Sequence, residues 1–113
     1  MATPAIRSVV VVRFPFSDIS QAKIRPAVVL CDVGRGDFLL CQITSKPYGD
    51  FSSITLDERH FQRGGLQRVS HARPGKLFTA HESIVGREVG ILNHAVCKTI
   101  TDRIALMLRK GHL

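Results

Sequence analysis

Two apolar runs, Pro26-Ala27-Val28-Val29-Leu30-Cys31 and Phe38-Leu39-Leu40-Cys41-Gln42-Ile43-Thr44, flank the reversal signal Gly34-Arg35-Gly36-Asp37. Glycine tolerates the positive φ angles of tight hairpin turns, so residues 26 to 44 are expected to form one β-hairpin. Pro26, which has no amide hydrogen to donate, fits the edge where the first of these strands begins. The same pattern recurs along most of the chain. Val9 to Phe14 is a dense β-branched run that stops at Pro15. Phe16 to Ile24 is polar and irregular, which suits a loop, and Lys46 to Asp50 is a second loop. Ser53 to Leu56 alternates polar and apolar residues over a short strand. Glu58 to Gly65 is rich in turn residues, and Val69 to Arg73 begins another strand that Pro74-Gly75 breaks. Lys76 to Ala80 resumes extended structure, and Ile84 to Val89 makes a last short strand.

Only the end of the chain changes period. Val96, Ile100, Ile104, Met107 and Leu108 recur at helical spacing behind Asn93, whose side chain can accept from the free amides of a first turn. Arg109 and Lys110 fall where cations meet the negative end of the helix dipole. With 113 residues there is room for one core, so the chain is expected to be a single domain over 1–113. Five to seven short strands and one C-terminal amphipathic helix give a mainly β fold, a small barrel capped by that helix.

Charge points to partners. A formal net charge of +7 attracts phosphates, and RNA, DNA and an acidic peptide answer it alike. Cys31, Cys41 and Cys97 show no CxxC spacing; the first two lie in apolar runs and read as small buried hydrophobes, which implies a reducing, cytoplasmic setting. The apolar run Val9 to Val12 is far too short for a signal sequence or a membrane span.

Arg25, between the polar loop and the strand opened by Pro26, offers a planar fork of donors that matches phosphate oxygens. Thr44 and Ser45 end the third strand and point to opposite faces, so at most one of them shares a site with Arg25. Arg68, His71, Arg73 and Lys76 could form a basic stripe along the late strands. The five histidines, His60, His71, His81, His94 and His112, lack metal-ligand spacing, so neither a metal nor another cofactor is expected. His60, His71 and His81 remain open as a general base. Neither a phosphate-cradling glycine loop nor a Gly-Xaa-Ser-Xaa-Gly elbow is present.

The stretch Val9 to Phe16, then the polar loop, then Arg25-Pro26-Ala27-Val28-Val29-Leu30 resembles the opening of PemK/MazF-like toxins. Leu40 to Ser45, Ser70 to Leu77 and Val89 to Leu92 resemble later blocks of that family, so the likeness spans nearly the whole chain. The resemblance implies an SH3-like barrel of the PemK/MazF/CcdB type, a homodimer and metal-independent cleavage of single-stranded RNA at short preferred sequences. It also implies a cognate antitoxin whose C-terminal segment, commonly acidic, lies across the RNA groove. On this reading Arg25 is the catalytic arginine and Thr44 its hydroxyl partner, while Arg73 falls where some members carry a second functional arginine. Phe16, Lys23, Ser45, Arg73 and Lys76 are then the residues expected to hold RNA.

The chain also departs from the family. Arg7-Ser8 stands where many members have Gly-Asp, and Gly75 stands where some have an acid two residues beyond the second arginine. The Phe16 to Ile24 loop has no histidine, so a base found there in some relatives is missing. Two competing readings remain: a CcdB-like toxin that binds gyrase without cutting, and a basic nucleic-acid-binding module without activity. An Arg25–Thr44 pair argues against the first, and sparse aromatics argue against a base-stacking platform for the second.

Overall fold

The structure, a computed structural model, describes residues 3–14, 23–46 and 52–113. Among these residues seven antiparallel strands form one sheet in the order β4-β6-β3-β2-β1-β7-β5. They are β1 (Ser8–Phe14), β2 (Lys23–Gly34), β3 (Asp37–Thr44), β4 (Ile54–Leu56), β5 (Phe61–Gly64), β6 (Ser70–His81) and β7 (Val85–Leu92), followed by helix α1 (His94–Lys110). The fold is mainly β, a curled half-barrel with a single C-terminal helix.

The β-branched run of β1 lies between β2 and β7, where Val9, Val10 and Val12 are all buried. A strand buried on both faces does not need polar alternation, which is why this segment reads as a continuous apolar run. The hairpin forms as expected: Gly34 pairs with Asp37 across the two-residue turn Arg35-Gly36, whose φ angles are 58° and 80°. Both central residues at positive φ make the twist of the turn match that of the strands, and here a non-glycine residue takes one of the two places.

Four expectations about the strands need correction. First, β2 begins at Lys23, because Lys23, Ile24 and Arg25 pair with Phe14, Arg13 and Val12 before the apolar pattern starts. Arg25 is therefore inside a strand, not at its mouth. Second, Pro74-Gly75 does not break the chain's extended course. Strand β6 runs unbroken for 12 residues, while its register against β3 jumps from Cys41↔Leu77 to Ile43↔Ala72. Residues 73–76 thus bulge opposite Gln42, and a bulge accommodates a proline that has nothing to donate to the ladder. Third, Glu58 to Gly65 holds a short 3-10 turn and then strand β5, which pairs with β7 as a short edge. Fourth, β7 is longer than predicted and reaches Leu92.

Each face of the sheet carries its own apolar cluster. On one face Val9, Val28, Cys41, Ile43, Ile54, Leu56 and Ala72 pack with Leu92 and with Val96, Ile100 and Ile104 of α1. On the other, Val10, Val12, Ala27, Val29, Phe38, Leu40, Ala80 and Val85 pack together. Phe38 of β3 and Val85 of β7 belong to strands separated by two others, so their shared cluster requires the sheet to curl.

Helix α1 starts where expected, with the Val96 amide donating to Asn93 Oδ1 at 2.9 Å, and it ends at Gly111 in the left-handed conformation. Its buried stripe is shorter than the sequence pattern: Val96, Cys97, Ile100 and Ile104 are buried, but Leu108 is 67% exposed. Each four-residue step turns the helix about 40° past a full circle, so the run Val96, Ile100, Ile104 has rotated off the buried side by Leu108. Cys31 is also corrected, being exposed while Cys41 is buried. A register shift between Val29 and Cys31 moves the far end of β2 out of the core, and residues 31–35 project as the exposed tip of the hairpin.

Candidate functional site

Strand alternation fixes which residues share a face. Arg25 lies two and four residues before Ala27 and Val29, and Thr44 lies two and four residues after Gln42 and Leu40. Arg25 and Thr44 therefore stand on the face of the second cluster, away from α1. His71 precedes Ala72, and Thr55 lies between Ile54 and Leu56, all three members of the helix-side cluster. His71 and Thr55 consequently face the same side as Arg25 and Thr44.

Register lines these residues up. Val12 pairs with Arg25, Thr44 pairs with His71, and His71 pairs with Thr55. The β2–β3 pairing ends at Ala27↔Gln42, and Arg25 and Thr44 each lie two residues beyond that last pair, on the same face. A single cross-strand row thus runs Val12, Arg25, Thr44, His71, Thr55 over five strands. It begins in the apolar cluster at Val12 and turns polar at Arg25. Directly opposed antiparallel side chains have Cβ atoms about 4.5–5.5 Å apart, so Val12 neighbours Arg25, and His71 neighbours both Thr44 and Thr55.

The sequence singled out Arg25 and Thr44, and the fold brings them together. Arg25 is half-buried and Thr44 is 4% exposed. The Lys46 amide donates to Thr44 Oγ1 at 3.2 Å, the local turn that a threonine at a strand end commonly makes. A hydroxyl that accepts in this way keeps its own hydrogen to donate elsewhere. Ser45 is exposed just past the strand end, outside the row.

The expected basic stripe is divided. Arg73 and Lys76 sit in the β6 bulge, Arg73 half-buried and Lys76 exposed. Arg68 instead lines a cleft of about 500 Å³ with Val11, Pro26, Ser70, Arg87 and Val89, on the helix side of the sheet. Phe16 lies outside the described residues, and Lys23 is placed only as a backbone partner of Phe14.

The three histidines left open by the sequence separate clearly. His60 Nδ1 accepts from the Asp57 amide at 3.0 Å, closing a capping box around the short 3-10 turn. His81 Nδ1 accepts from the Ser83 amide at 3.1 Å, capping the turn before β7. Both are committed to turns. His71 alone of the three belongs to the polar row, where its Nδ1 lies 3.3 Å from Thr55 Oγ1. Sequence reading missed Thr55. Its only signal was a polar residue between two apolar ones, and nothing local said that β4 would pair with β6. Among the described residues, no group of three or more histidine, cysteine or acidic side chains is placed to hold a metal ion. No helix among them is long and apolar enough to cross a membrane.

Comparison with known proteins identifies the fold and the family. No curated protein matches the sequence significantly. Among solved structures, the MazE-MazF complex of Deinococcus radiodurans (Form-III) superposes with a TM-score of 0.74 at 17% identity, covering 99% of this chain and 100% of that one. The Mycobacterium tuberculosis toxin MazF-mt6 gives 0.72 at 17% identity over 91% and 97%. An endoribonuclease bound to its cognate antitoxin, from a mycobacterial species, gives 0.65 at 13% identity over 100% and 98%. At these identities the likeness establishes the fold. The family model of PemK-like, MazF-like toxins of type II toxin-antitoxin systems matches residues 7–108, and the chain belongs to that family.

Proposed function

We propose that this protein is the endoribonuclease toxin of a toxin-antitoxin pair and cuts single-stranded RNA by internal attack of a ribose 2′-hydroxyl. The observation that carries the reading is that Arg25 and Thr44 lie on adjacent strands and on one face, at the polar end of an otherwise apolar surface. In the reaction the 2′-oxygen forms a bond to the adjacent phosphorus and loses its proton to solvent water. The bond from phosphorus to the 5′-oxygen breaks, and that oxygen gains a proton. Products are a 2′,3′-cyclic phosphate and a free 5′-hydroxyl.

Negative charge accumulates on the phosphoryl oxygens as the phosphorus becomes crowded. Arg25, held by β2 between β1 and β3, supplies a preorganised positive fork for that charge without reorganising during the reaction. Thr44 donates its hydroxyl hydrogen to the same phosphate. The requirement for a 2′-hydroxyl makes DNA an inhibitor at most. Arg73, Lys76, Ser45, Lys23 and Phe16 are assigned to hold the RNA, as the family resemblance implies.

Two partners complete the proposal. The complexes with MazE and with a cognate antitoxin among the structural relatives support an antitoxin partner for this chain, and its charge of +7 suits an acidic segment. A homodimer is proposed on family grounds. The test is incubation of purified, antitoxin-free protein with defined single-stranded RNA and a chelator, followed by mapping of the cut ends. Cyclic phosphate and 5′-hydroxyl ends are expected. Intact RNA in the presence of folded protein would overturn the reading, and plasmid breakage that depends on gyrase would favour a CcdB-like poison.

A further inference from the structure

We propose that His71 is the general acid that protonates the departing 5′-oxygen, an assignment that rests on the ribonuclease reading above. The starting point is position. His71 pairs with Thr44 across β3 and β6, on the face that also carries Arg25. Neighbouring strands are about 4.8 Å apart, so Arg25 and His71 flank Thr44 at about 10 Å backbone separation. Both side chains are long enough to meet a phosphate seated over Thr44 from opposite sides. In-line displacement puts the leaving oxygen at one apex of the phosphorus, so the group that protonates it must approach from a different direction than the guanidinium that holds the phosphoryl oxygens.

The second observation is the partner of the ring. His71 Nδ1 lies 3.3 Å from Thr55 Oγ1, and Thr55 is exposed on the short outer strand β4. A threonine hydroxyl can accept from an Nδ1–H. In the imidazolium form that bond holds one proton on Nδ1 and leaves Nε2–H as the one to give away. Once Nε2 has passed its proton to the 5′-oxygen, the ring is neutral with the Nδ1–H bond unchanged. The imidazole then regains a proton at Nε2 from solvent. No third group has to move, and a histidine fixed through its other nitrogen is the usual arrangement for controlled proton transfer. His60 and His81 cannot take this role, since their Nδ1 atoms accept from backbone amides in turns elsewhere.

An RNA whose scissile 5′-oxygen is replaced by sulfur tests the assignment, because a thiolate departs without needing a proton. His71→Gln is expected to slow cutting of the normal linkage about a hundredfold or more, and of the sulfur linkage less than about tenfold. Thr55→Val keeps the imidazole and removes its partner, and should slow the normal linkage about tenfold while sparing the sulfur one. This exposed replacement also serves if the His71 variant fails to fold, as judged by its circular dichroism and urea midpoint. Equal losses on both substrates, or an unchanged rate on the normal linkage, would overturn the role of His71. If the unaltered protein cuts neither substrate, the ribonuclease reading itself falls and takes this assignment with it.

Discussion

The Cys41 thiol donates to the backbone carbonyl of Arg73 at 3.1 Å, tying β3 to the bulge of β6. Burial pushes the thiol up to about 12, although the Arg73 backbone bond and the nearby guanidinium pull the other way. The group stays protonated at any ordinary pH, and only the protonated form can donate this bond. Cys31, in contrast, is exposed on the hairpin tip. A thiol reagent at pH 8 should therefore modify Cys31 quickly in the native protein and leave Cys41 untouched until urea unfolds it. Peptide mapping after a timed pulse reads the result, and rapid labelling of Cys41 in folded protein would contradict the packing described.

The same thiol makes stability depend on alkaline pH. Its folded pKa of about 12 is above the ordinary thiol value of 9.0, so the unfolded chain loses this proton first as pH rises. The unfolded state then binds fewer protons than the native one, and the stability difference falls with pH. The contribution is complete below pH 9.0 and is lost progressively toward about 12. Urea midpoints of the parent and Cys41→Ala, compared between pH 8 and 10.5, should converge as pH increases. Parallel curves would show that this thiol is not the source.

Arg25 and Thr44 are expected to separate chemistry from folding. Arg25→Ala should lower the rate of RNA cutting about a hundredfold or more, as loss of one donor to a developing oxyanion does. Arg25→Lys should recover little, because an ammonium cannot present the planar fork. Thr44→Ser keeps the hydroxyl and should stay within about tenfold of the parent, whereas Thr44→Val should not. Single-turnover cleavage with saturating protein measures the chemical step directly. Relief of growth arrest by Arg25→Ala at unchanged protein level is the cellular counterpart.

Arg7 holds an unusual conformation for a reason that mutation can expose. Its φ is 74°, yet its Nη1 donates to the Leu92 carbonyl at 2.7 Å while the Leu92 amide donates to its own carbonyl at 2.9 Å. These bonds clamp the start of β1 to the end of β7. Replacement by alanine removes the side-chain bond and retains the left-handed strain, which costs about 1–2 kcal/mol for a residue with a Cβ. Arg7→Gly removes both. Urea unfolding should rank the parent first, Arg7→Gly second and Arg7→Ala last.

Helix packing gives a last contrast. Ile100 is fully buried between α1 and the sheet, and Ile100→Ala should cost about 2–5 kcal/mol. Leu108→Ser should change stability by less than about 0.5 kcal/mol, since that side chain is 67% exposed. Thermal melts of the two variants make the comparison.

Elements whose cause is local were legible from the residues alone. The Gly34 to Asp37 turn, the Asn93 cap and the β-branched first strand each follow from nearby side chains, and each is where the pattern put it. Errors gathered where a distant partner decides. Pro74-Gly75 looked like a break because a proline cannot serve a regular ladder, but β3 accepts the surplus residues as a bulge opposite Gln42. Strand β5 was hidden in a turn-rich segment because its extension depends on β7. Leu108 fitted the helical period, yet it is 67% exposed. Arg7 shows the opposite lesson: it replaces the glycine common in its family and still adopts a glycine-like φ, secured by bonds to Leu92.

For the site, the sequence by itself determined the chemical inventory and one half of the arrangement. Arg25 before Pro26 and Thr44 at a strand end are properties of order along the chain, and a family pattern is enough to mark them. Only the tertiary structure decided which histidine joins them and which basic residues do not. That choice depends on strand pairing between segments far apart in sequence, where β6 sets His71 against Thr44 and β4 adds Thr55 behind it. Alternation tells a residue which face it occupies within its own strand, but register between strands is fixed by how whole faces bury their apolar side chains together.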